Sequence, residues 1–64
     1  MRKATAKHID RLIEQTFYAN HTNVQIDIMD IGKIFAAGRA AFESAGQTAI
    51  APAVAEAVSR LRKN

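Results

Sequence analysis

Apolar and polar positions along the chain alternate with two different periods, and the change of period divides it into elements. In residues 5 to 19, Ile9, Leu12, Ile13 and Phe17 recur at i, i+3, i+4 and i+8. That stripe predicts an amphipathic first helix. Thr5 stands where a hydroxyl can accept one of the free N–H groups of the first turn. The stripe stops at Asn20-His21-Thr22-Asn23, a short polar loop whose asparagines tolerate positive φ and can close the turn. A connection of this length joins helices that pack side by side.

Residues 23 to 42, Asn-Val-Gln-Ile-Asp-Ile-Met-Asp-Ile-Gly-Lys-Ile-Phe-Ala-Ala-Gly-Arg-Ala-Ala-Phe, carry both periods. Val24, Ile26 and Ile28 alternate with Gln25 and Asp27, as in a half-buried strand. Ile28, Phe35 and Phe42 then repeat every seven residues, and Ile31, Gly38 and Ala45 repeat three places later, as in an a/d helical seam. The seam already begins at Ile28, so the preferred reading is a loop entering a second helix there. Asp27 or Asp30 would cap its start, and Asp30 suits the positive end of the helix dipole. Gly46 is the natural residue after its last turn. Gly32 and Gly38 cost about 1 kcal/mol each in an exposed helix. With Ala36, Ala37, Ala40 and Ala41 they read as a flat face for a closely approaching helix. A third, shorter helix runs from Thr48 or Pro52 to Leu61, with Ile50, Val54, Val58 and Leu61 on one stripe. Pro52 falls in its first turn, where the missing N–H does least harm.

The predicted fold is all-α: a small helical hairpin plus a shorter third helix, forming one domain over residues 1–64. The alternative is a ribbon-helix-helix dimer with a short strand at 24–28, since a lone strand needs a counterpart from a second subunit. There Gln25 and Asp27 would face the DNA major groove. A carboxylate among phosphates is repelled, although it can accept a bond from cytosine.

The short length sharpens the expectation of self-association. A 64-residue chain without cysteine has a thin margin of burial and no disulfide or zinc-thiolate staple. A second copy is the staple left, so a homodimer is expected. Its seam would be Ile28, Ile31, Phe35, Gly38 and Phe42. The longest apolar run, residues 49 to 55, falls far short of the roughly 20 residues of a spanning helix. The basic start has no apolar core or cleavage site behind it, so a cytoplasmic location is expected.

Charge is distributed unevenly. Residues 1–11 and 60–64 together hold seven bases and one acid, whereas the middle holds Lys33 and Arg39 against five acids. Lys3, Lys7 and Arg11 fall at i, i+4 and i+8, one helical face that gains nothing from its own repulsion and suits phosphate contact. Solubility and neutralisation by Asp10 and Glu14 explain the same residues equally well. Arg60, Arg62 and Lys63 complement the negative end of the third helix. Together with Tyr18, which lies off the apolar stripe, these bases are the candidate contacts for nucleic acid or a protein partner. An anionic membrane surface fits less well, because the first helix also carries Asp10 and Glu14 and the chain has no tryptophan.

Catalytic chemistry finds little footing, and the sequence reads as that of a non-enzyme without cofactor or metal. Ser44 and Ser59 have no evident base, and His8 and His21 read as solvent-facing side chains. The stretch Gly-Lys-Ile-Phe-Ala-Ala-Gly from Gly32 lacks the order and preceding strand of a phosphate-binding loop.

Residues 13 to 46 place an aromatic at the end of one helix, a short polar loop, and a helix reading Asp-Ile-Gly-Lys-Ile-Phe-Ala-Ala-Gly-Arg-Ala-Ala-Phe-Glu-Ser-Ala-Gly. This half of the chain resembles small helical accessory proteins of temperate phages and other mobile elements. The resemblance implies a small cytoplasmic protein of a bacterial host cell that acts by binding a host or phage component. It assigns no residue a role.

Overall fold

The computed structural model describes residues 5–21 and 23–63. Three helices appear in the order the periodicity predicts: α1 (Ala6–Asn20), α2 (Ile28–Ala45) and α3 (Ile50–Leu61), with a single 3-10 turn (Gln47–Ala49) leading into α3. The fold is all-α. Several boundaries have a local cause. The Thr5 hydroxyl accepts from the His8 N–H at 3.1 Å, satisfying one orphan donor of α1. Gly46 ends α2 with φ 87° and ψ −171°, a region of backbone space open essentially only to glycine. Pro52 sits at the third residue of α3, inside the first turn. The loop asparagines work otherwise than expected: no described non-glycine residue has positive φ. Asn20 instead donates its side-chain amide to the Thr16 carbonyl at 3.0 Å, and the His21 N–H closes the last turn on Phe17.

The extended and helical readings of residues 23–42 both correspond to something real. Val24 and Ile26 are half-buried against the core while Gln25 and Asp27 are exposed. The segment is therefore extended with one face inward, as its alternation indicates. Its pairing partner is the chain's own C-terminal end: the Lys63 N–H donates to the Gln25 carbonyl at 2.7 Å. No strand forms among the described residues, and α2 begins at Ile28. The ribbon-helix-helix alternative, which needs a strand through residue 28 and a carbonyl edge free for a second subunit, is not the architecture. Asp27 holds the N-cap position of α2 without a side-chain capping bond. Its carboxylate pairs with the Lys63 ammonium at 2.6 Å, while its backbone carbonyl accepts from Asp30 and Ile31.

The core is wholly aliphatic. Ile13 of α1, Ile34 of α2 and Ile50, Val54, Ala57 and Val58 of α3 are buried, and no polar side chain is buried among the described residues. Ile9, Leu12, Phe17, Phe35, Phe42 and Leu61 surround them, half-exposed. Although α3 is the shortest helix, it supplies most of the buried side chains, and it packs most extensively on α2. The centre of the molecule is thus the α2–α3 pair, with α1 laid across both. α1 crosses α2 at Gly38, where a Cβ would lie 2.7 Å from Ile13 Cγ1 and 2.8 Å from its Cδ1. Gly38 is the flat site the sequence suggested, but its neighbour belongs to the same chain. A Cβ on Gly32 would meet nothing within 4 Å, so no helix approaches there. Beside the crossing, Arg39 grips Asp10 through two bonds, Nε to Oδ1 at 2.7 Å and Nη2 to Oδ2 at 2.9 Å.

Candidate functional site

The short connections make the helices run up, down and up, and this decides where the charged residues fall. Asp10–Arg39 and Ile13–Gly38 place the start of α1 beside the later half of α2. The Lys63–Gln25 pairing places the end of α3 beside the start of α2. Of the described basic residues, Lys7 and Arg11 therefore lie towards one end of the bundle and Arg60, Arg62 and Lys63 towards the other, as two separate groups.

The first group is on α1. Lys7 and Arg11 are exposed and, with Thr5 and His8, line an open hollow of about 240 Å³. Lys3, the third member expected there, lies outside the described residues. The first turn of α1 contains no acidic residue, so the Lys7 ammonium stands at the positive end of the dipole, against its preference. Tyr18, three turns along α1, is 59% exposed and touches Phe17 edge-on, with ring centroids 5.5 Å apart. Its exposure matches the expectation from its place off the stripe. His21 differs from expectation: it is half-buried, with its ring 5.9 Å from that of Phe17.

The second group is at the end of α3. Arg60 and Arg62 are exposed and make no ion pair among the described residues, whereas Lys63 is held by Asp27. The Asp27 carboxylate raises the pKa of Lys63, through its hydrogen bond first and its charge second. Next to this clasp, α2 opens with Ile28 and Met29, 84% and 83% exposed. Asp30 follows, paired with Lys33 at 3.3 Å. At this end, two large apolar side chains project into water, Asp27 and Asp30 are paired, and two guanidinium groups have no ion-pair partner among the described residues.

The predicted self-association seam divides along its length. Gly38 is buried against Ile13, and Phe35 and Phe42 pack on the chain's own core. Ile31 is half-buried, and only Ile28 stands fully outside. Ile34, which the seam omits, is the side chain α2 buries most completely. A seven-residue repeat drifts by about 20° per heptad around a straight helix, so a seam aligned on Ile28 leaves out Ile34, which with Gly38 forms the buried line of α2. Met29 was missed because it lies off the seven-residue repeat that carries Ile28. The available signal was two consecutive bulky apolar residues at a helix start, which cannot both point inward.

Among the described residues no group of three or more His, Cys, Asp or Glu side chains is placed to hold a metal ion. No described helix is long and apolar enough to cross a membrane. No protein-family model, curated protein or solved structure matches the chain.

Proposed function

We propose that the protein is a non-catalytic binding module that docks another protein through the clasped end of the bundle, around Ile28 and Met29. The observation that carries this reading is the exposure of both side chains. Large apolar groups on a small domain cost solubility, and here neither supports the core, so a contact is the physical use left for them. The resemblance to accessory proteins of phages and mobile elements supplies a setting: a regulatory part of a bacterial cytoplasm that works by occupying a larger protein. Homodimerisation through the whole predicted seam is not carried forward, because Phe35, Gly38 and Phe42 are committed within the chain.

One observation favours a second reading, contact with nucleic acid: the hollow lined by Lys7 and Arg11 together with Thr5 and His8, with Lys7 placed against the helix dipole. Affinity capture with the wild-type chain and an I28S/M29S variant as paired baits tests the first reading. A protein retained by the wild type and lost from the variant is the expected result. Fluorescence anisotropy on duplex DNA across a salt series tests the second. Steep salt dependence that flattens in a K7A/R11A variant would replace protein docking with phosphate contact as the function.

A further inference from the structure

We infer that the partner segment docked at the clasped end is acidic and amphipathic, with apolar side chains for Ile28 and Met29 and carboxylates for Arg60 and Arg62. This rests on the proposed protein-docking function and specifies what that function recognises. Of the charges near the apolar pair, Asp27 is paired with Lys63 and Asp30 with Lys33. What the end presents to an arriving surface is therefore the guanidinium groups of Arg60 and Arg62, which make no ion pair among the described residues. Their place at the end of α3 complements the helix dipole, yet that interaction leaves the outer donors free. An exposed guanidinium offers a forked pair of N–H donors that fits a carboxylate better than any other protein group. Apolar anchors ringed by charge are the usual anatomy of a protein contact, the anchors giving affinity and the rim giving selectivity.

Two other occupants fit the end less well. In an isologous dimer the same patch faces itself, which would bring four guanidinium groups together around the apolar contact. A bilayer surface calls for a broad apolar face along a helix, and here Ile28 and Met29 are followed by the Asp30–Lys33 pair.

The test uses the full chain and two synthetic helical peptides of roughly 18 residues, long enough to hold a helix. One has leucines on one face and glutamates on the other, and the second replaces every glutamate with lysine. Calorimetric titration is expected to show the glutamate peptide binding at least about tenfold more tightly, with amide shifts at Ile28 and Met29. An R60E/R62E variant, altered only at exposed positions, is expected to reverse that ranking. Equal affinity for both peptides, or a ranking unchanged in R60E/R62E, overturns the acidic specificity while leaving apolar docking in place. Binding of neither peptide overturns this inference, whereas the docking function itself stands or falls on the paired capture. Pelleting with phosphatidylserine vesicles, or a concentration-dependent dimer abolished by I28S/M29S, would assign the end to a membrane or a second copy and also overturn it.

Discussion

Adding the same methyl group at two places on α2 is expected to have opposite effects. At Gly32 a Cβ enters open space, so Gly32→Ala collects the helix-propensity gain of about 0.8–1 kcal/mol with nothing opposing it. At Gly38 the Cβ would lie 2.7 and 2.8 Å from Ile13 Cγ1 and Cδ1, about an ångström inside the 3.5–4.0 Å at which carbon atoms attract. Ile13 is fully buried and stiff at χ1 because it is β-branched, so it cannot swing aside into solvent. Overpacking of this kind costs typically 1–3 kcal/mol. Less the same propensity gain, Gly38→Ala is left neutral to about 2 kcal/mol destabilised. The two variants should then differ by about 1–3 kcal/mol, which in a domain of this size separates their Tm values by about 5 °C or more. Thermal melts followed by circular dichroism at 222 nm, the standard helix wavelength, provide the assay. A double-mutant cycle adds the mechanism: Ile13→Ala should cost about 2–5 kcal/mol beside Gly38 and distinctly less beside an alanine there, which fills part of the cavity. Gly38→Ala melting as high as Gly32→Ala, or a cycle with no coupling, would refute the close helix crossing.

Other perturbations probe separate parts of the molecule. Ile34→Ala should remove about 2–5 kcal/mol from a domain whose whole stability is about 3–10 kcal/mol, and a cooperative melt near the wild-type Tm would show that Ile34 is not a core residue. Gly46→Ala meets no neighbour, yet must adopt φ 87°. A loss of about 1–3 kcal/mol is expected from backbone strain alone, and an unchanged Tm would count against that turn. The I28S/M29S variant should melt within about 0.5 kcal/mol of the wild type, as exposed positions do, and a large loss would place these residues in the core. Asp10 is held below the ordinary carboxylate value of 3.8, chiefly by its hydrogen bond to Arg39 and further by that residue's charge. A lowered folded pKa means that the pair's stabilisation is complete above the ordinary value and is lost as pH falls through the lowered one. The Tm gap between wild type and Asp10→Asn should therefore close on acidification from neutral pH, and a gap constant with pH would remove the ion pair from the account.

Much of this protein was determined along the chain itself. Helix boundaries followed from local chemistry that needs no neighbour: the Thr5 hydroxyl, the positive φ of Gly46, and Pro52 in a first turn. The stripes of α1 and α3 were legible because Ile9, Ile13, Val54 and Val58 repeat at the helical period, and the alternation of Val24 and Ile26 marked an extended segment with one buried face. The tertiary structure alone decided which of several apolar lines on α2 turns inward. Phe35, Phe42 and Ile34 all lie within reach of that choice. It was settled by where α1 and α3 leave room, with Gly38 yielding its volume to Ile13. The partner of the extended segment was equally hidden, because Lys63 meets Gln25 and Asp27 only when α3 returns alongside α2. The candidate site has the same origin. Local periodicity reports that a residue is apolar, but only the finished packing shows that Ile28 and Met29 lie past the edge of the core, with water where a neighbouring helix would have been.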